Sequence, residues 1–153
     1  MVETTLSGAS HHILTNDYAS EWMGIEVLKL DDGHATIRMK LRQEMLNGFG
    51  MAHGGMIFAF GDTAFALACN PANPTPEEAA NITVASGVDI NFMKPAFEGQ
   101  VITAVANRRA STGRSGLYDI QLYAADPADS PSTDAPGELI AEFRGRSRTI
   151  SKK

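Results

Sequence analysis

Residues 54–69 read GGMIFAFGDTAFALAC, and this apolar segment is the main indication of the fold class. It carries one charged side chain, that of Asp62, and its length and alanine content favour a helix over a strand. Because the segment is apolar on nearly every side, it predicts a buried helix at the centre of the protein. Pro71 and Pro74 follow and are expected to end that helix.

Strand patterns lie on both sides of this helix. Before it, residues 24–30 and 35–41 flank a turn signal at Asp32-Gly33, and a short helix precedes them. After it, four more strand segments follow: 82–93, 101–109, 116–124 and 138–150. The proline-rich polar stretches between elements are expected to be loops: 70–81 and 126–137. One long helix segregated from many strands predicts the α+β class, with an antiparallel sheet wrapped around that helix.

Composition places the chain among ordinary globular proteins. Its 153 residues fit one domain, which we assign to residues 18–150, with residues 1–17 as a mobile or loosely docked lead-in. The net charge of −5 argues against broad binding to nucleic acid or to a membrane surface. No apolar run reaches the ~18–20 residues of a membrane span, and no secretion signal is visible. The single cysteine, Cys69, excludes a disulfide framework and favours a reducing cytoplasm.

Asp62 is the most informative residue of the chain. A carboxylate inside an apolar helix costs several kcal/mol unless it is paired or protonated. Such an acid tends to have a raised pKa, which suits a general base or a nucleophile. The alternative is a structural acid that caps or hydrogen-bonds a neighbouring loop.

The start of the same helix is a second candidate feature. His53-Gly54-Gly55 brings free backbone amides to the positive end of a buried helix, which is a natural oxyanion site. Glycines also allow a substrate to approach the backbone closely. The alternative is a glycine pair that serves only a turn. The histidines lack the spacing to acidic residues that is typical of a metal site, so no metal is expected.

Helix geometry links these two features across a subunit interface. Gly55 and Asp62 are seven residues apart, which is about 10 Å along a helix. One carbonyl group cannot lie within about 3 Å of both. Two copies of the helix, packed antiparallel about a dyad, would bring Asp62 of one chain toward Gly55 of the other. The sequence therefore predicts at least a homodimer with two shared active sites.

The stretch NGFGMAHGGMIFAFGDTAFA over residues 47–66 resembles the hotdog-fold acyl-CoA thioesterases, and within them the phenylacetic acid degradation branch. The pattern is Asn, five residues, His-Gly-Gly, six residues, and Asp-Thr. The likeness covers roughly residues 18–150 and extends through three further segments: 85–95, 116–120 and 143–147. The resemblance implies a hotdog fold, in which an antiparallel sheet wraps around one long central helix.

The resemblance also implies roles for individual residues. Asp62 would be the catalytic carboxylate, as nucleophile or as base on water, and the Gly55 amide would polarise the thioester carbonyl. Asn47 and His53 would position the thioester or the water from the partner subunit. Family members are commonly tetramers of two dimers, and coenzyme A is part of the substrate, so no separate cofactor is expected. The nearest hydroxyls that would hold water are those of Thr63 and Ser86.

Coenzyme A is strongly anionic, so an acidic protein needs a local basic rim to bind it. Three arginines recur at period two and line one face of the last strand: Arg144, Arg146 and Arg148. Together with Lys94 and other cations at strand ends, they are candidates for phosphate contacts, although each alone could be a solvated surface charge. By family analogy, Arg114, Ser115 and Arg148 touch the nucleotide, and Phe92 lines the pantetheine channel.

The resemblance implies hydrolysis of an aryl-acyl-CoA, of the phenylacetyl-CoA or hydroxyphenylacetyl-CoA type. Three alternatives stay open at this point. The chain could hydrolyse short or medium aliphatic acyl-CoA, or bind acyl-CoA without catalysis. A hydratase or dehydratase would place a histidine on the central helix, and this helix has none after its first turn.

Overall fold

One sheet forms the frame of the chain, of which the computed structural model describes residues 7–152. Its seven strands are β1 (Ser7–Gly8), β2 (Glu26–Asp31), β3 (His34–Lys40), β4 (Asn81–Phe92), β5 (Val101–Thr112), β6 (Ser115–Ala125) and β7 (Glu138–Ser151). Their order across the sheet is β1-β2-β3-β5-β6-β7-β4. All neighbours are antiparallel except β1 and β2. The predicted α+β class and antiparallel sheet are confirmed.

The long helix α2 (Gly54–Cys69) has the bounds that the sequence predicts. It packs against strands β2 to β7, so it fills the concave side of the sheet. Its sheet-facing side chains are buried: Ile57, Phe60, Ala64, Phe65, Leu67 and Ala68. Burial of several large apolar side chains at ~1.5–3 kcal/mol each makes this contact the main stabilising layer of the fold.

The opposite side of α2 is open in a single chain. Gly55 is exposed and the Phe58 side chain is 37% exposed, although both lie on the most apolar segment of the sequence. The predicted buried central helix is therefore confirmed on its sheet-facing side, while its other side is uncovered in a single chain. A sheet covers only one side of a helix, so its other apolar side needs a different cover.

Two further α-helices in the described residues are short, and three single 3-10 turns lie at His12–Leu14, Gln43–Met45 and Pro127–Asp129. The helix α1 (Tyr18–Met23) begins at Asp17, whose side chain accepts a hydrogen bond from the Ser20 amide. The helix α3 (Pro76–Ala79) lies in a stretch expected to be a loop. Thr75 and Glu78 form a reciprocal capping box there, which stabilises a single helical turn.

The lead-in before α1 is docked where the structure describes it. The ring of His11 is buried, and its Nε2 donates to the carbonyl of Asn70 at 2.8 Å, at the end of α2. Leu14 is also buried. Residues 1–6, which fall in the segment expected to be mobile, lie outside the described residues.

The strand β4 is an edge of the sheet. It pairs with β7 along its length, and its other edge has no strand partner among residues 7–152. A register shift between Ala85 and Gly87 interrupts the pairing at Ser86. Several apolar side chains on or beside this strand are exposed: Ile82, Val84, Phe92 and Met93. Within the described residues, no helix is long and apolar enough to cross a membrane.

Candidate active site

The carboxyl group of Asp62 lies half-buried on the helix α2. Burial raises its pKa, and the negative charge of Asp17 raises it further. No donor within residues 7–152 gives its carboxylate a hydrogen bond. An acid with a raised pKa and no bonded partner is a better base than an ordinary surface carboxylate.

The start of α2 is capped by a histidine. The Gly55 amide donates to His53 Nδ1 at 3.0 Å, and the amides of Met56 and Ile57 donate to the His53 carbonyl at 2.9 and 3.2 Å. The sequence indicates free amides at this point and does not reveal the imidazole as their acceptor. A substrate oxygen that takes the Gly55 amide must displace the imidazole, and both residues are exposed enough to allow it.

The loop before the helix is held by Asn47. Its Oδ1 accepts hydrogen bonds from the amides of Phe49 at 2.9 Å and Met51 at 3.2 Å. A bridge between Leu46 and Ala52 closes the loop at its base. The oxygen of Asn47 is therefore occupied, and only its Nδ2 protons stay available to a ligand.

A cavity of about 350 Å³ opens beside the helix start. Most of its lining is apolar: Met51, Ile57, Phe92, Met93, Pro95 and Ile140. The Phe92 ring lies 3.3 Å from where a β-carbon on Gly54 would stand, so this glycine lets ring and helix approach closely. Lys94 also lines the cavity, but its ammonium forms an ion pair with Glu138.

The predicted basic face exists on the outer side of β7. Its exposed arginines alternate with buried residues that face α2: Phe143, Gly145 and Ser147. Asp119 neutralises one of them, because it accepts from Arg144 at 2.7 and 3.0 Å. Arg146 and Arg148 form no ion pair within residues 7–152, so their charges are free for an anion.

The remaining predicted nucleotide contacts gather near those two arginines. Ser115 pairs with Arg148 across β6 and β7, and the Arg114 carbonyl accepts from the Thr149 amide at 2.8 Å. A second cavity, of about 270 Å³, is lined by Arg146 and by hydroxyl side chains: Ser86, Ser111, Thr112, Ser115 and Ser147. Phe92 and Lys94 line the other cavity, so the predicted binding residues form two groups.

The two candidate water-holding hydroxyls are both engaged. The Ser86 hydroxyl donates to the Arg146 carbonyl at 3.1 Å. The Thr63 hydroxyl lies 3.0 Å from Ser20 Oγ, which in turn donates to Asp17 Oδ2 at 2.7 Å. Nothing in the sequence places Asp17 or Ser20 near Asp62. Asp17 is recognisable only as the cap of a short helix.

Two other features of the chain carry no catalytic signal. In the described part of the chain, no group of three or more His, Cys, Asp or Glu side chains could hold a metal ion. Burial raises the pKa of the Cys69 thiol to about 12, so it stays protonated and unreactive at neutral pH.

Known proteins resemble this chain in sequence and in fold. Residues 49–130 match the family model of the thioesterase superfamily. The acyl-coenzyme A thioesterase PaaI of Escherichia coli K12 is 33% identical over 141 residues, which cover 92% of this chain and 89% of that protein. The structure of E. coli PaaI, from the phenylacetic acid degradation operon, superposes with a TM-score of 0.74 over 90% of this chain and 88% of that one. A mutant of the phenylacetic acid degradation protein PaaI from Thermus thermophilus is 28% identical, with a TM-score of 0.71 over 86% of this chain and 98% of that one.

Proposed function

Because this chain belongs to the thioesterase superfamily and is a thioester hydrolase, we propose that it cleaves aryl-acyl-CoA to a free acid and coenzyme A. The phenylacetyl-CoA or hydroxyphenylacetyl-CoA type is the substrate class that we propose. The half-buried, unbonded carboxylate of Asp62 carries this proposal. The relatives support the substrate class, since one is named an acyl-coenzyme A thioesterase and comes from a phenylacetic acid degradation operon.

Asp62 supplies the chemistry in one of two ways. As a base, it takes a proton from water while the water oxygen attacks the thioester carbonyl carbon. The carbon–sulfur bond then breaks, and the departing thiolate takes up a proton. As a nucleophile, Asp62 attacks the carbonyl itself, and water hydrolyses the resulting anhydride. When water attacks the Asp62 carbonyl carbon of that anhydride, the bond from this carbon to the bridging oxygen breaks and heavy oxygen from the water stays in the Asp62 carboxyl group. Label in Asp62 after a single turnover in heavy-oxygen water therefore identifies this nucleophile route, because the base route places the label only in the product acid.

We propose that the site is completed by a second copy of the chain. Gly55 and Asp62 lie on one continuous helix, about 10 Å apart along its axis, so one chain cannot apply both to one carbonyl. The open edge of β4 and the open side of α2 offer the apolar surface that a second copy would cover, including Phe58 and Phe92. Pairing of the two β4 edges about a dyad would bring the helices together, and two such dimers would form a tetramer.

Coenzyme A is proposed to bind through its phosphates on the outer side of β7. Arg146 and Arg148 bring free charges, and Arg114 and Ser115 lie at the adjoining strand ends. The pantetheine arm would pass Phe92 into the apolar cavity beside Gly54. Lys94 would contribute a positive charge to this cavity when its ion pair with Glu138 is broken. Coenzyme A enters as part of the substrate, so we propose neither a metal nor a separate cofactor. We also propose that the protein acts in the cytoplasm.

The acyl group is proposed to occupy the apolar cavity at the helix start. Its lining includes the aromatic ring of Phe92 and the thioethers of Met51 and Met93. An aryl ring gains about 0.3–1.5 kcal/mol from each contact of this kind, beyond what burial of its area gives. Short or medium aliphatic acyl groups would gain only the free energy of burying their apolar area.

The direct test is a panel of acyl-CoA thioesters assayed for release of the free thiol. We expect phenylacetyl-CoA and hydroxyphenylacetyl-CoA to give higher kcat/KM than aliphatic esters of similar size. Asp62→Asn should lower kcat/KM by about 10²–10⁴-fold without unfolding the chain. Asp134→Asn, which removes an exposed carboxylate in a distant loop, is the matched control and should keep full turnover.

Three results would contradict different parts of the proposal. Full turnover by Asp62→Asn would remove Asp62 from the reaction. Tight binding of acyl-CoA by the native protein without thiol release would instead favour the non-catalytic alternative. Preference for aliphatic esters would leave the reaction intact and correct only the substrate.

Subunit mixing tests the shared site. Gly55→Pro deletes the amide donor, and Asp62→Asn deletes the base, so each variant alone should be inactive. After exchange of subunits, half of the dimers are mixed, and each mixed dimer holds one intact pair. Activity should therefore recover to about one quarter of the native value. A site contained within one chain would recover nothing.

A further inference from the structure

A chain of hydrogen bonds joins the helix α1 to the residue that follows Asp62. Asp17 accepts from the Ser20 amide through Oδ1 at 3.0 Å and from the Ser20 hydroxyl through Oδ2 at 2.7 Å. Ser20 Oγ lies 3.0 Å from Thr63 Oγ1. Ser20 is only 1% exposed, so water does not compete for these bonds.

The hydroxyl protons in this series of hydrogen bonds have one consistent arrangement. An ionised carboxylate only accepts, so Asp17 takes the single hydroxyl proton of Ser20. Ser20 then has only lone pairs left for Thr63, and Thr63 must donate its proton to Ser20. The hydroxyl next to Asp62 is thus turned away from it, in agreement with the absence of any donor to the Asp62 carboxylate within residues 7–152.

The negative charge that acts on Asp62 belongs to the same hydrogen-bonded series, because it is the carboxylate of Asp17. Asp17 is the charged group that acts on Asp62 across the contact of α1 and α2, and it opposes ionisation of Asp62. On α2 itself, the nearest titratable group is the Cys69 thiol, which stays neutral. No basic group of the described strands packed on α2 contributes to the pKa of Asp62.

We propose that Asp17 and Ser20 are positioning residues of the active site, which turn the Thr63 proton away from Asp62 and set a second negative charge beside it. This inference rests on the proposed function, because it explains how a carboxylate at this place is kept reactive. Within residues 7–152, neither a hydrogen bond nor a neighbouring cation satisfies Asp62, so it retains its affinity for the proton of an attacking water.

Two substitutions change this network in different ways: Asp17→Asn alters the charge together with the hydrogen bonds, and Ser20→Ala alters only the hydrogen bonds. Asp17→Asn keeps an oxygen for the Ser20 amide, so the cap of α1 survives, while it removes the charge and puts an N–H donor opposite Ser20. The hydrogen bonds then run in the opposite direction, from position 17 through Ser20 to Thr63. The Thr63 hydroxyl is then free to donate its proton to another acceptor. Ser20→Ala keeps the charge of Asp17 and removes the link to Thr63. Glu21→Gln, which removes an exposed carboxylate of the same helix, is the matched control.

The pH profile of kcat/KM distinguishes these roles. In Asp17→Asn, the acidic limb should shift to lower pH, because loss of a like charge makes Asp62 easier to ionise. In Ser20→Ala, the charge of Asp17 stays and only the hydrogen bond to Thr63 is lost, so the limb should shift less than in Asp17→Asn. The kcat should fall about 2- to 10-fold while KM changes less than about twofold, as expected for one lost orienting hydrogen bond. Glu21→Gln should match the native protein in both respects.

A measurement without substrate keeps this inference separate from the proposed function. The carboxyl-carbon NMR signal of Asp62, assigned by its loss in Asp62→Asn, should titrate at lower pH in Asp17→Asn than in the native protein. An unchanged titration in folded Asp17→Asn would overturn the inference, whether or not the protein hydrolyses thioesters. A native protein without thioesterase activity would overturn the proposed function instead. If Asp17→Asn does not fold, Asp17→Ser removes the charge and keeps a good capping residue.

Discussion

The central helix packs tightly against the sheet at Gly145, and this contact gives a quantitative prediction. A β-carbon on Gly145 would stand 2.5 Å from Cε2 and 2.8 Å from Cζ of Phe65. Carbon atoms pack at about 3.5–4.0 Å, so the ring must move by roughly 1 Å. Phe65 is 1% exposed and is enclosed by Tyr118 at 5.5 Å and Phe143 at 6.0 Å between ring centroids.

Because the ring has no free space to move into, Gly145→Ala should cost about 1–3 kcal/mol of stability. For a domain of this size, a loss of ~2 kcal/mol lowers Tm by about 4–8 °C. Circular dichroism melts at one protein concentration measure this loss. Gly48→Ala is the matched control, since a β-carbon there meets nothing within 4 Å, and it should melt like the native protein.

Phe65→Leu removes the part of the side chain that collides with the new methyl group. In the Gly145→Ala background, this second substitution should cost less than it does alone, with a coupling of about 0.5–3 kcal/mol. A native Tm for Gly145→Ala, or strict additivity of the two changes, would show that the helix is not held against β7 at this point. Loss of activity in Gly145→Ala beyond its loss of stability would show that Asp62 moves with the helix.

Three further predictions concern titratable groups. Burial and Asp17 raise the pKa of Asp62 above 3.8, so the charged form of Asp62 destabilises the folded state at higher pH. Asp62→Asn should therefore raise Tm at about pH 8. This gain in Tm should vanish as the pH falls toward 3.8. A gain that is independent of pH would contradict this cause. Burial lowers the pKa of His11 below 6.5, so the native protein should lose stability as the pH falls below about 6.5, and His11→Gln should flatten that loss in thermal melts. An equal loss in the variant would place the titration elsewhere. The Cys69 thiol, with a pKa of about 12, should resist thiol reagents at neutral pH until the chain is denatured; rapid labelling of the folded protein would contradict its burial.

The sequence predicts those parts of the fold that depend on local composition. The bounds of α2 follow from an uninterrupted apolar stretch with prolines after it, and the long strands follow from their alternation. The helix α3 escapes prediction because a single turn has too few residues to show a period. The capping of Gly55 by His53 escapes it because an imidazole is an unusual acceptor at a helix start.

The environment of Asp62 could be predicted only in part. Its place in an apolar helix indicates a raised pKa, and burial does raise it. The contact of Ser20 with Thr63 spans 43 positions of the chain, and no local pattern reports such a distance. A helix that is apolar all round also gives no sign of whether the same chain or another copy covers it. Phe58 and its open surroundings therefore appear only in the three-dimensional structure.

The open edge of β4 has a consequence for handling the protein. A strand of 12 residues with unsatisfied backbone groups along one side is a template for any other extended chain. Substitutions that block self-association should therefore reduce the yield of soluble protein together with turnover, because the proposed active site needs a second copy of the chain. Dilution should also reduce self-association. Storage at high protein concentration is therefore expected to preserve the enzyme better than storage at low concentration.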